Sequence, residues 1–112
     1  MPNVEVDGHD FHYMEIDGEG PTVLMLCSTG LDSRQWNDAL PLLEGRRVLC
    51  PHYLCYPKSA DWSGEGEIDS TLDYLAAEKL LLGEDGAVDI LGHSYGGFIG
   101  LRLAKNHPDK VR

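Results

Sequence analysis

The stretch Gly92-His93-Ser94-Tyr95-Gly96 decides how this sequence folds. It follows the apolar run 87–91 (AVDIL) and precedes the stretch 97–105 (GFIGLRLAK), which is typical of a helix that ends before Pro108. Small residues around Ser94 allow a turn too tight for a Cβ, and such a turn pushes the serine hydroxyl into solvent. The helix N-terminus stabilises negative charge that develops there. The sequence therefore predicts an exposed, nucleophilic Ser94 on a strand–turn–helix, with Gly97 allowing the helix to pack closely.

Four further segments have the composition of strands. Residues 4–6 and 11–16 are joined through Asp7-Gly8, a dipeptide that favours tight hairpins. Residues 22–29 (TVLMLCST) and 47–54 (RVLCPHYL) are apolar runs that we expect to be buried. Strands then alternate with helical stretches, which predicts an α/β fold with a mostly parallel sheet, an N-terminal antiparallel hairpin and flanking helices. Ligands of such sheets bind at the carboxyl ends of the parallel strands.

Two further helical segments are predicted. Residues 70–73 (STLD) have the pattern of a capping box with Asp in place of Glu, and they predict the start of a helix that Gly83 ends. The apolar positions of that helix are Leu72, Leu75, Ala76 and Leu80. Apolar residues also recur at helical spacing over residues 36–43, but Pro41 requires that helix to be short or broken. Residues 60–69 are a polar connection.

The order of these motifs resembles the N-terminal half of the α/β-hydrolase family, in its esterase-like branch. In that family one strand ends in His-Gly with a Trp several residues on, the next ends in a Pro-Asp loop, and the third ends in the serine turn. The matching positions are Trp36, Pro51, Lys58-Ser59 and residues 92–96. The departures are Cys27-Ser28 in place of His-Gly, and His52, Cys55 and Pro57 in place of Asp and two glycines. The resemblance implies that the third strand lies between the fourth and fifth, and that residues 1–112 are the N-terminal portion of a single, incomplete α/β-hydrolase domain.

The resemblance also implies a serine hydrolase that acts on carboxylic esters or related acyl bonds of a small-molecule substrate. Ser94 would be the nucleophile, in an elbow built by Gly92, His93 and Gly96. The oxyanion would be bound by the backbone N–H groups of Tyr95 and Thr29; the alternative for Thr29 is an ordinary strand-end residue.

Other polar and aromatic residues near this edge are expected to have structural roles. The His93 side chain is expected to pack against the sheet, and Trp36 to be a packing residue. Asp32 is expected to be a solvated loop carboxylate.

No complete catalytic triad can be assembled from these residues. In the family the acid and the base follow the serine in the chain. His107 lies far along the following helix, on the order of 20 Å from Ser94 at 1.5 Å per residue, beyond hydrogen-bond reach. His52 is at the correct edge but two strands away. The chain is therefore expected to be inactive alone, and the alternative interpretation is a non-catalytic or degenerate binding module of the same fold.

Composition limits the partners and the compartment. The formal net charge of −10 disfavours nucleic acid and anionic membranes as partners. The first residues lack a signal-peptide pattern, and no apolar run approaches the length of a membrane span, so a cytoplasmic location is expected. The three cysteines are expected to be reduced thiols, and their spacing is not that of a metal site. The sequence predicts neither a metal nor a cofactor.

The fifth predicted strand has no later strand beside it. We expect it to leave a bare, apolar sheet edge, which favours self-association.

Overall fold

A computed structural model describes residues 2–54, 59 and 70–112. The strands are β1 (Asn3–Val6), β2 (His9–Ile16), β3 (Gly20–Leu26), β4 (Arg46–Pro51) and β5 (Asp89–Gly92). The α-helices are α1 (Thr71–Leu82) and α2 (Tyr95–Asn106), and two short 3-10 helices cover Ser33–Trp36 and Leu40–Leu43. Each strand and helix predicted outside residues 55–69 is present. The polar connection predicted for residues 60–69 lies outside the described residues.

β1 and β2 form the predicted antiparallel hairpin. Its turn is Asp7-Gly8, and both residues have positive φ, 48° and 81°. Two consecutive positive φ values belong to the tight turns that match the twist of a hairpin, which explains why this dipeptide marks the connection.

The five strands form one mixed sheet in the order β1-β2-β4-β3-β5. β2 pairs with β4 in the antiparallel sense, whereas β3 pairs in parallel with both β4 and β5. β3 therefore lies between the fourth and fifth strands, as predicted. The carboxyl ends of β3, β4 and β5 meet at one edge of the sheet, and this edge carries the candidate site.

The core lies between the central strands and the two α-helices. β3 and β4 have the near-continuous burial expected of strands covered on both faces. α1 contributes a wider buried surface than its predicted stripe, because Tyr74, Ala77 and Leu81 are buried together with Ala76 and Leu80. α2 packs on β3 and β5 through Ile99 and Leu103, which are fully buried.

The segment between β3 and β4 is broken into two 3-10 turns. Pro41 lies in the first turn of the second one, where its missing N–H costs no intrahelical hydrogen bond. Trp36 is half-buried and packs against the core, which confirms its predicted packing role.

The edge beyond β5 is not entirely bare, in contrast to the prediction. Val88 donates its N–H to Lys110 (2.8 Å) and accepts a hydrogen bond from the Arg112 N–H (3.0 Å), so residues 110–112 pair in parallel with the residue just before β5. Asp89 is also held there by Arg46 (2.5 Å) and Arg112 (2.8 Å). Further along, Leu91 is 41% exposed, so the carboxyl half of this edge is open.

In the part of the chain that the structure describes, neither helix has the length and apolarity needed to cross a membrane.

Candidate active site

Ser94 lies in the turn between β5 and α2 and is exposed. Its φ is 55° and its ψ is −113°, a conformation that L-residues rarely adopt. A serine held in such a conformation stores on the order of 1–3 kcal/mol of strain, and strain of this size concentrates at functional sites. The predicted strand–turn–helix around Ser94 is thus present, with the side chain in solvent.

Two glycines make this turn possible by their lack of a side chain. A Cβ on Gly92 would lie 2.7 Å from the Gly96 carbonyl oxygen. A Cβ on Gly96 would lie 2.7 Å from the carbonyl oxygen of Cys27 and closer still to that of Leu26. Because these neighbours are backbone atoms, they cannot rotate away, and both positions require glycine. Gly97 has no such constraint, since its nearest neighbour would be 3.9 Å away, so close packing depends on Gly96 rather than Gly97.

His93 is exposed, so the prediction that it packs against the sheet is wrong. Its backbone N–H donates to Leu26 (3.1 Å) and continues the ladder between β5 and β3. Its side chain turns instead to the loop after β3, where Nδ1 lies 2.8 Å from Nε2 of Gln35. This contact was missed by sequence reasoning, because residues 35 and 93 meet only through the strand order.

The loop after β3 carries the second predicted oxyanion donor. Thr29 is exposed and follows Ser28, whose carbonyl accepts a hydrogen bond from the Leu31 N–H (3.2 Å). The Ser28 N–H donates to Oε1 of Gln35 (3.0 Å). Since β3 and β5 are parallel neighbours, this loop and the turn at Ser94 leave the same edge of the sheet.

Asp32 is buried, so its prediction as a solvated carboxylate is also wrong. Its side chain accepts a hydrogen bond from the Arg34 N–H (2.9 Å) at the start of the first 3-10 helix, and it pairs with the Arg34 guanidinium (2.7 Å). Hydrogen bonds from Arg34 lower the pKa of Asp32. The carboxylate therefore caps a helix, which is the usual role of Asp at this position.

Asp73 has a different role from the predicted capping box. Ser70, the residue that precedes α1, makes no side-chain capping bond, and Asp73 is buried. The Asp73 carboxylate accepts hydrogen bonds from the Tyr95 hydroxyl (2.6 Å) and from the Leu54 N–H (2.8 Å). Asp73 thus ties the residue after Ser94 to the segment that follows β4. The sequence signal for this role was the spacing of Asp73, which lies three and seven residues before the predicted apolar positions Ala76 and Leu80 and therefore on the same face of the helix.

The described histidines have other partners than Ser94. Nε2 of His52 lies 2.9 Å from the Ser33 hydroxyl, and both residues are buried. His107 pairs with Glu78 (2.8 Å), and Nδ1 of His12 lies 3.1 Å from the Asn3 side chain. Among residues 2–54, 59 and 70–112, no hydrogen bond to the Ser94 hydroxyl is present.

Cys27, which directly follows β3, and Cys50 of β4 are buried free thiols with their sulfur atoms 3.5 Å apart. The hydrogen bond from Cys50 lowers the pKa of Cys27, and the same interaction together with burial raises the pKa of Cys50. The Tyr53 hydroxyl donates to the Cys27 carbonyl (2.8 Å), and burial raises the pKa of Tyr53.

Cys55 and Pro57 lie outside the described residues. Within the described ranges, no group of three His, Cys, Asp or Glu residues is placed to hold a metal ion.

Comparison with known proteins gives a consistent set of relatives. A sequence model of the alpha/beta hydrolase fold matches residues 22–112. The chain is 30% identical to a 2-hydroxymuconate semialdehyde hydrolase of Pseudomonas sp. (strain CF600), over 98% of this chain and 37% of that protein. It is also 30% identical to a pimeloyl-[acyl-carrier protein] methyl ester esterase of Aeromonas hydrophila subsp. hydrophila, over 84% of this chain and 36% of that protein. The thioesterase domain from the curacin biosynthetic pathway superposes with a TM-score of 0.88 at 22% identity, covering 98% of this chain and 40% of that domain. The chain therefore spans a little over a third of the curated relatives it matches.

Proposed function

This chain belongs to the alpha/beta hydrolase fold family, and from that membership we propose that it carries the nucleophile of a serine hydrolase acting on carboxylic esters or related acyl bonds. The observation that carries the proposal is the conformation of Ser94, an exposed serine with φ of 55° between a parallel strand and a helix. The methyl ester esterase among the relatives supports an ester as the substrate class.

The Ser94 hydroxyl is proposed to attack the acyl carbon and give its proton to a base outside the described residues. The bond to the ester's alcohol oxygen then breaks, the alcohol leaves with that proton, and the acyl group remains as an ester of Ser94. The position of the serine supports this role, because the N-terminus of α2 stabilises the negative charge that develops on the substrate oxygen. A helix points its first N–H groups out of this end, and Tyr95 is the first residue of α2.

The oxyanion is proposed to be held between the Tyr95 N–H and the Thr29 N–H. The support for Tyr95 is that its side chain is anchored to the buried Asp73, which holds the start of α2 in place. The support for Thr29 is that the loop after β3 leaves the sheet beside the turn at Ser94. Removal of one such donor costs about 2.7–4 kcal/mol of transition-state stabilisation in related chemistry.

A general base for Ser94 would have to come from outside the described residues, because the described histidines are bonded elsewhere. We therefore expect residues 1–112 to have negligible turnover alone. A fluorophosphonate probe tests the nucleophile when imidazole in the buffer supplies the base that the described residues lack, and intact mass reveals the covalent adduct. Labelling of the wild-type chain and none of a Ser94→Ala variant is the expected result; equal labelling of both, or no labelling of either, would contradict the proposal. Robust Ser94-dependent hydrolysis of p-nitrophenyl acetate would contradict the expectation of negligible turnover.

A non-catalytic binding module of the same fold is the second candidate. The observation that favours it is the Ser94 hydroxyl without a hydrogen-bond partner in the described part of the chain. The two candidates differ in the reactivity of Ser94, so the same labelling experiment separates them.

We further propose that the chain self-associates through the open part of the β5 edge. Leu91 is 41% exposed there, and Phe98 and Leu101 on α2 are 52% and 73% exposed. Sedimentation at two concentrations tests this, with Leu101→Glu expected to lower the association. An unchanged monomer over the whole range would contradict it.

A cytoplasmic location, with neither nucleic acid nor membrane as a partner, is also proposed. The buried free thiols of Cys27 and Cys50 support a reducing compartment, and the net charge of −10 opposes binding to phosphate-rich surfaces. Fractionation of cells that express the chain tests the location.

A further inference from the structure

We propose that Gln35 is a positioning residue that joins the loop after β3 to the turn at Ser94 and fixes the ring proton of His93 on Nε2. This inference deepens the proposed serine hydrolase function and rests on it for its catalytic meaning. Its structural part stands on hydrogen-bond geometry alone.

The Gln35 side chain spans the two segments that border the proposed oxyanion site. Its Oε1 lies 3.0 Å from the backbone nitrogen of Ser28, and its Nε2 lies 2.8 Å from Nδ1 of His93. Gln35 itself is half-buried in the first 3-10 helix, which limits the positions its side chain can take. One amide therefore connects the residue before Thr29 with the residue before Ser94.

The chemistry of these three groups leaves one consistent arrangement. A backbone N–H can only donate, so the group that faces Ser28 must be the amide oxygen of Gln35. The amide nitrogen then faces His93, and since an amide NH₂ can only donate, Nδ1 of His93 must accept. A neutral imidazole that accepts at Nδ1 carries its proton on Nε2. The second nitrogen of the exposed His93 ring is thus a fixed donor.

The hydrogen bonds of Gln35 also determine which backbone N–H in the loop after β3 is available to bind an oxyanion. The Ser28 N–H is occupied by Gln35, whereas no hydrogen bond of the Thr29 N–H is present within the described ranges. His93 is held at two points, by its backbone on Leu26 and by its ring on Gln35. Gln35 therefore sets the spacing between Thr29 and Ser94, and catalysis depends steeply on such spacing.

A Gln35→Glu substitution tests the proton assignment because it keeps the shape and removes the donor. One carboxylate oxygen can still accept from Ser28, but the other can only accept where it faces His93. We expect the proton of His93 to move from Nε2 in the wild-type chain to Nδ1 in the variant. Long-range ¹H–¹⁵N correlation spectra of histidine-labelled chain measure this directly at pH 8, where an ordinary imidazole is neutral.

The matched control is Asn37→Asp, which adds the same charge at an exposed position two residues away. It is expected to leave the His93 proton on Nε2, and the ring signals of His52 and His107 report whether each variant is folded. A wild-type proton on Nδ1 would overturn the proposal, and so would an unchanged proton position in folded Gln35→Glu.

A second variant covers the case in which Gln35→Glu does not fold. His93→Ala removes an exposed side chain, and the Gln35 side-chain amide protons are then expected to shift upfield as they lose their acceptor. Unchanged Gln35 amide shifts would overturn the proposal.

The catalytic meaning is tested by the rate of fluorophosphonate labelling, again with imidazole in the buffer as the base. We expect the rate to fall about tenfold or more in Gln35→Glu and to be unchanged in Asn37→Asp. Equal rates in both variants would overturn the positioning role. A wild-type chain that is not labelled at all would instead overturn the proposed nucleophile, and the NMR result would still decide the proton assignment.

Discussion

Replacing Gly96 with alanine is expected to destabilise the fold by about 2 kcal/mol, because the start of α2 touches the backbone of β3. The added Cβ would lie 2.7 Å from the Cys27 carbonyl oxygen and closer to that of Leu26. Inserting a methyl group into a packed site costs about 1–3 kcal/mol, and rigid backbone neighbours place this case at the upper end. The helix propensity of alanine over glycine returns up to about 1 kcal/mol.

Gly97 supplies the matched control, since it is the next residue of the same helix. A Cβ there would meet its nearest neighbour at 3.9 Å, which is an ordinary contact. Gly97→Ala is therefore expected to stabilise the chain by up to about 1 kcal/mol through helix propensity alone.

Thermal unfolding followed by circular dichroism compares the two variants. Their expected difference of about 3 kcal/mol corresponds to more than about 10 °C in the midpoint for a domain of this size. Equal midpoints would refute the argument that close backbone contact, rather than helix propensity, requires glycine at position 96.

Three further predictions concern stability. Asp73→Asn is expected to cost about 1.5–3 kcal/mol, because the Tyr95 hydroxyl loses its charged acceptor; urea unfolding at constant m-value measures this, and a shift below about 0.5 kcal/mol would contradict it. Ser94→Gly is expected to be about 1 kcal/mol more stable than Ser94→Ala, because glycine adopts a φ of 55° without strain, and equal midpoints of these two variants would argue against stored strain. Arg112 and Arg46 hold the pKa of Asp89 at about 2, below its ordinary value of 3.8. The contribution of Asp89 to stability is therefore present above pH 4 and lost as the pH falls towards 2. Asp89→Asn is expected to flatten the pH dependence of the melting temperature between pH 4 and pH 2. An unchanged slope in the variant would count against the ion pairs.

Much of the fold could be predicted because local chemistry and strand periodicity agree. At Asp7-Gly8 and at the glycines around Ser94, the residue type itself indicates the backbone conformation that the turn requires. The apolar runs of β3 and β4 likewise indicate buried strands. The order of the sheet came from the family resemblance, and β3 does lie between β4 and β5.

The candidate site was harder to predict where a side chain meets a distant segment. Asp32 was expected in solvent, but it is buried and caps the first 3-10 helix by accepting a hydrogen bond from the Arg34 N–H. His93 was expected on the sheet, but its partner is Gln35, which is close only after β3 and β5 have paired. Spacing along the chain does not contain such contacts, because they depend on the side-chain directions at two separate strand ends.

The central place of β3 has a consequence for how the chain is made. β3 pairs with β4 on one side and with β5 on the other, although residues 52–88 separate β4 from β5 along the chain. During synthesis, the apolar residues 23–26 therefore have no pairing strand on one side until residue 92 has left the ribosomal exit tunnel. This long-range pairing delays folding of the centre of the sheet. A nascent chain that stalls before residue 92 emerges exposes an apolar, unpaired strand to chaperones.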